Sequence, residues 1–167
     1  MSKLLALAVS IAVLGGVWAF LALNPLAGVG LVWVGFIAWG SYFHTGGDTP
    51  ALQKTIAGMS YGAVIAGIAL YLVSSGMLGA LGALAAPVII AATVFLLVIV
   101  AGNNLLSVVP ANVYGYAATA GLGLTAGTAG NVSNMDLSNP VLIVIISTVI
   151  GALFGMASGK LSGMLGK

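Results

Sequence analysis

The chain has 167 residues, 61% of them hydrophobic and only 4% charged, and its mean hydropathy is +1.24. A soluble domain carries about 25% charged residues, so this chain cannot cover a water-facing surface; the composition indicates an all-α, multi-pass integral membrane protein. Four lysines against two aspartates, with no Arg or Glu, give a net charge of +2, far too little for nucleic-acid binding, and the absence of Cys with a single His excludes disulfides, thiolate chemistry and a multi-histidine metal site.

A spanning helix needs about 20 mostly apolar residues, and six segments qualify, some narrowly. The first is Leu4 to Leu23, stopped by Asn24-Pro25. It reads as a span and not a signal peptide, being long for an h-region and lacking an evident small-x-small cleavage site. The second is Leu26 to Phe43, ended by His44-Thr45-Gly46-Gly47-Asp48-Thr49-Pro50. The third is Leu52 to Leu72, ending at Ser74-Ser75-Gly76, and a Gly/Leu linker follows from Met77 to Leu84. The fourth, Ala85 to Ala101, closes on Gly102-Asn103-Asn104 and reaches Pro110. The fifth is Asn112 to Gly130, whose Gly and Thr content weakens helix propensity and leaves open a broken or re-entrant segment. After a polar loop, Pro140 suits the first turn of a helix, and the sixth segment runs from Val141 to Lys160.

The lysines set the orientation. With the N-terminus in the cytoplasm, Lys3, Lys54, Lys160 and Lys167 all fall inside, together with both termini, and Asp136 falls outside. The expected location is the inner (plasma) membrane.

At an offset of 80 residues, Asn24 falls on Asn104, Gly35 on Gly115, Phe36 on Tyr116 and Ala38 on Ala118. Further on, Gly62-Ala63-Val64-Ile65 resembles Gly151-Ala152-Leu153-Phe154. These matches divide one membrane domain, 1–167, into units of about 1–76 and 82–167. An odd number of helices per unit inverts the second relative to the first, the architecture of many transporters and channels, with sites at the repeat interface.

Gly151, Gly155, Gly159 and Gly163 make one smooth stripe on the sixth segment, and Gly58 and Gly62 share that spacing on the third. Such stripes drive close helix packing in lipid, either inside one bundle or between copies in a homo-oligomer. Among the polar groups, His44 and Asp48 are either a pH-sensitive gate or a wetted loop with Gly46-Gly47 as its turn and Asp48 capping the next helix. Asn24, Asn103 and Asn104 are either caps of broken helix ends or paired polar constrictions. Their amides would offer donors and acceptors to a small neutral solute, with hydroxyls from Thr119, Thr125 and Thr128. No residue set for catalysis or cofactor binding is present: there is no H-E-x-x-H or Walker motif, and Gly121-Leu122-Gly123 lacks the strand–helix context it would need.

Gly16-Val17-Trp18, Val34-Gly35-Phe36 and the Leu105-Leu106-Ser107-Val108-Val109-Pro110 segment before a Gly-aromatic helix resemble the small bacterial inner-membrane proteins grouped as DUF1097. That resemblance implies several closely packed helices and carries over no site residues. A more local similarity joins Asn24-Pro25-Leu26-Ala27-Gly28 to the Asn-Pro-Leu-small-Gly segment of urea transporters, which are inverted repeats with amide substrates. The resulting expectation is a passive channel or facilitator for a small neutral polar solute such as urea, ammonia or water. The alternative is an accessory membrane subunit that binds partner helices and transports nothing.

Overall fold

A computed structural model describes residues 1–167 as an all-helical chain without strands. Helix α1 (Lys3–Leu23) begins where the Ser2 hydroxyl accepts from the Leu5 N–H, and it ends at Asn24, whose side-chain Nδ2 donates to the Phe20 carbonyl at 2.9 Å. Helix α2 (Val32–His44) has 13 residues, about 20 Å at 1.5 Å per residue. In the segment expected to start it, Leu26 to Val29 form turns, and Leu31 is extended at the N-cap. Pro25 and the glycines at 28 and 30 interrupt the helical ladder there, Gly28 taking a positive φ of 79°, although the segment is apolar.

Helix α3 (Thr49–Ser74) is capped by Asp48, whose Oδ1 accepts from the Ala51 N–H at 2.7 Å. Gly46 and Gly47 make the preceding turn, both at positive φ, which suits residues without a Cβ. The Gly79–Leu84 linker is a kinked 3-10 turn before α4 (Ala85–Ile99). Two short 3-10 turns at Val100–Gly102 and Asn104–Leu106 then lead to α5 (Val109–Thr125), one continuous helix that stops five residues before the expected Gly130. Helix α6 (Pro140–Leu165) is capped by Asn139, and its first residue is Pro140. Four segments are long and apolar enough to cross a membrane: α1, α3, the stretch Gly79–Gly102 around α4, and α6.

The termini share one end of the bundle, since the Met1 amine donates to the Leu165 carbonyl and the Lys167 N–H to that of Met1. The α2–α3 loop joins them there, because Asp48 and Thr49 line a cleft with Lys160 and Ser162.

Two parallel helix pairs hold the bundle together. In the first, α3 lies on α5: a Cβ on Gly62 would run into the Asn112 carbonyl, and one on Gly115 into the Met59 carbonyl. In the second, α6 lies on α2: a Cβ on Gly151 would run into the Gly35 backbone. α3 and α6 pack against each other between these pairs, while α1 flanks α6 and α4 flanks α3. Without a hydrophobic force between helices in lipid, such backbone-to-backbone approach through glycine is what brings helices together. The stripe on α6 is therefore spent largely inside one chain. Gly155 faces Trp39 and Tyr42 and Gly159 faces Phe43, whereas Gly163 faces open space.

Two small apolar clusters fill the spaces between the pairs. Val34, Ala63, Ala118 and Val144 form one, and Ala38, Met59, Ala111 and Ala152 the other.

Candidate functional site

The two helix breaks lie at opposite ends of the bundle. Asn24 follows α1 at the end away from the termini. Leu105, just after Asn103 and Asn104, packs beside Leu52 and Gln53 at the start of α3, near the lysine-bearing end. All three asparagines are exposed. Asn24 caps α1 as described, and Asn103 Oδ1 accepts from the Leu105 N–H at 2.9 Å. Asn104 contributes its carbonyl to the Ser107 hydroxyl at 2.8 Å.

The threonines are placed differently from one another. Thr125, exposed near the end of α5, donates to the Gly121 carbonyl at 2.7 Å. Thr119, inside α5, and Thr128, after it, have hydroxyls shielded from solvent and without a partner. The six residues do not converge on one site. His44 and Asp48 part company too: His44 faces a groove between α2 and α5, whereas Asp48 faces the separate cleft shared with Lys160.

The α2–α5 groove is the largest concavity, about 580 Å³. On α2 it is lined by Trp33, Ile37, Gly40, Ser41 and His44, a spacing that keeps one helical face along the whole element. Tyr114 and Ala117 line it from α5. Its wall is apolar near Trp33 and Ile37 and becomes polar toward Ser41, Tyr114 and His44 at the lysine-bearing end. Behind it, the buried Ser41 and Thr55 hydroxyls meet at 3.3 Å, tying α2 to α3. Gly40 is exposed in the groove, and a Cβ there would meet nothing within 4 Å.

Polar residues that sequence reading passed over do the internal work. Trp18 is fully buried and donates from Nε1 to the Val32 carbonyl at 3.0 Å, clamping the start of α2 to α1; Gly30 and Gly35 leave room for its ring. Asn112, also fully buried, donates from Nδ2 to the Leu97 and Leu106 carbonyls at 3.2 and 3.1 Å, clamping the start of α5 to the end of α4. Ser147 on α6 accepts from the Leu31 N–H at 2.9 Å. Trp18 thus adds a second donor to a carbonyl of the first turn of α2, Asn112 donates to carbonyls freed where α4 and the second 3-10 turn end, and Ser147 accepts from an N–H freed just before α2 begins. A Trp at the fifteenth position or so of a span, and an Asn two residues after a proline, are the signals that mark the first two. Ser147 carries no such signal.

Outside the helices, hydrogen bonds from the Ser138 side chain and then its N–H hold the Asp136 carboxyl below the usual carboxylate range. Asp136 thus remains an anion at the end opposite the lysines.

No curated protein and no solved structure gives a significant match to the chain. A family model described as "Protein of unknown function (DUF1097)" matches residues 8–163, which include every helix pair described above. The chain belongs to the DUF1097 family.

Proposed function

We propose that the chain is a passive facilitator for a small neutral polar solute, of the size of urea, a simple amide or ammonia. The route follows the α2–α5 groove. The observation that carries this reading is the groove itself. It gathers Tyr114 and His44 on one face while the side chains of Asn24 and Asn103 are taken up at helix ends, and it runs the length of α2 with no fixed charge on its wall. Selectivity then rests on width and on hydroxyl and imidazole hydrogen bonds, as in pores that work without a metal or a covalent step. The groove opens sideways, and a second copy of the chain, in a homo-oligomer, closes it.

The architecture that goes with this function is two inverted three-helix units, with six crossings and both termini in the cytoplasm. The support is that equivalent positions make equivalent contacts. Gly58 meets Ala111 across α3–α5, and its counterpart Ser147 meets Leu31 across α6–α2. Gly62 abuts the Asn112–Tyr116 backbone, and its counterpart Gly151 abuts Gly35, the counterpart of Gly115. Leu70 fills the space at Gly123, as Phe43 does at Gly159. The α2–α5 groove lies between the second helices of the two units, which is where an inverted repeat places its site. The short helices α2 and α5 complete their crossings with the irregular segments that precede them.

A second reading, an accessory subunit that transports nothing, draws on the capped asparagines and on an interior closed by glycine contacts. Flux measurements on proteoliposomes separate the two. Entry of urea, ammonia, glycerol or water above the empty-vesicle rate supports the facilitator, and no excess for any of them removes it. Gly40→Leu, whose Cβ has open space around it and whose side chain enters the groove, lowers the flux if the groove is the route. Asn104→Leu lowers the flux only if the helix breaks are.

A further inference from the structure

At the lysine-bearing end, a second cleft of about 500 Å³ is built from α1, the α2–α3 loop and α6. It is unusual for this chain in its charges. Of six charged side chains in 167 residues, two of opposite sign, Asp48 and Lys160, line this one cleft. Neither is neutralised by the other through a hydrogen bond. Asp48 uses Oδ1 to accept from the Ala51 N–H at 2.7 Å, which fixes the carboxylate in place, and its second oxygen makes no hydrogen bond within the chain. Ser162 adds a hydroxyl beside Lys160, while Leu7, Phe43 and Met156 supply an apolar wall. The polar groups sit at the loop and at the last turns of α6. Met156 lies one turn deeper than Lys160 on α6, and Leu7 one turn deeper than Lys3 on α1.

The occupant is constrained by these groups. A lone cation would approach Lys160, and a lone anion would approach Asp48; a neutral molecule carrying both charges meets a partner for each. The positive group should carry N–H bonds, since a carboxylate accepts hydrogen bonds and offers none. The negative group should present oxygens to an ammonium and a hydroxyl. The apolar wall on the deeper side requires that the molecule continue into hydrocarbon. We propose that this cleft binds the headgroup of an aminophospholipid, its primary ammonium on Asp48 and its phosphate on Lys160 and Ser162, with the first carbons of its chains against Leu7, Phe43 and Met156. The site is independent of the solute route, because it lies on the other side of α2 from the groove.

The test is native mass spectrometry of the intact protein released from bilayers containing equal amounts of phosphatidylethanolamine, phosphatidylcholine and phosphatidylglycerol. Wild type is expected to retain the ethanolamine lipid several-fold over the other two. Asp48→Asn keeps an oxygen for the Ala51 N–H and is expected to bring the ethanolamine and choline lipids to parity. Lys160→Gln is expected to lower retention of all three, and Lys160→Arg to restore it. Circular dichroism melting confirms that each variant is folded. Equal retention of the three lipids by wild type, or an ethanolamine preference unchanged in both Asp48→Asn and Lys160→Gln, would overturn the proposal. Soluble O-phosphoethanolamine and glycine separate the sources of the zwitterion. Displacement of the lipid by O-phosphoethanolamine at millimolar concentration supports the headgroup site, and binding of glycine without any lipid preference overturns the lipid assignment in favour of a free zwitterion.

Discussion

Gly62 and Gly151 occupy the two points where helix backbones touch, and there a single methyl group has nowhere to go: it meets the Asn112 carbonyl in one case and the Gly35 backbone in the other. Overpacking of this kind costs about 1–3 kcal/mol, sometimes more. Gly62→Ala and Gly151→Ala are therefore each expected to destabilise the folded protein by at least that amount in detergent unfolding followed by circular dichroism. Gly16 and Gly163 face open space within helices. Gly16→Ala and Gly163→Ala are expected to be neutral or to stabilise by about 0.5–1 kcal/mol through helix propensity alone. Equal losses at all four positions would mean that glycine content, and not these contacts, holds the bundle. The stripe on α6 was visible as spacing in the sequence. Which neighbour it faces was not, because spacing defines a face of a helix and says nothing of what lies opposite.

At the scale of the helices, most ends were legible and two starts were not. Asp48 and Asn139 announce their helices by residue type, followed by a proline in the first turn, a pattern with a direct physical cause. Hydropathy places the start of α2 six residues early because it registers apolar side chains and is blind to backbone conformation; Leu26 and Val29 are apolar yet lie in turns, and Leu31 is extended. What holds that irregular stretch is remote in sequence: Ser147 receives the Leu31 N–H and Trp18 donates to the Val32 carbonyl. The matching stretch before α5 depends on Asn112. Leaving a buried backbone group without its partner costs about 1–3 kcal/mol. Ser147→Ala and Asn112→Ala are each expected to lower stability within that range. Backbone amide exchange should rise locally, at Leu31 for the first variant and in residues 100–108 for the second. Uniform exchange across the whole chain would contradict local clamping.

For the whole molecule, the lysines, the termini and the α2–α3 loop share one end, and Met135 and Asp136 lie at the other, with Met135 97% exposed. The native chain has no cysteine, so single cysteines report sidedness cleanly. Lys167→Cys and Asn104→Cys are expected to label from the cytoplasmic side with a membrane-impermeant maleimide, and Ser75→Cys and Met135→Cys from the opposite side. Labelling of all four from one side would contradict the inverted arrangement. The glycines that the proposed repeat pairs, Gly35 with Gly115 and Gly62 with Gly151, stand out in the sequence because those positions carry backbone contacts that tolerate no side chain. Trp18 and Asn112, which clamp the short helices α2 and α5, are unlike residues and show no such correspondence. The candidate route was the least legible part. The sequence draws attention to asparagines at helix ends and to His44; of these only His44 lines the groove, together with Gly40, Ser41 and Tyr114, which carry no motif and come together only when α2 lies beside α5.

The most direct measurement is stopped-flow urea and ammonia entry into proteoliposomes holding equal amounts of wild type, Gly40→Leu and Asn104→Leu. The expected result is wild-type entry well above empty vesicles for at least one solute, reduction of that excess in Gly40→Leu with its melting profile retained, and near wild-type entry in Asn104→Leu. Entry in Gly40→Leu equal to wild type, or no excess in any sample, would contradict the groove as a solute route.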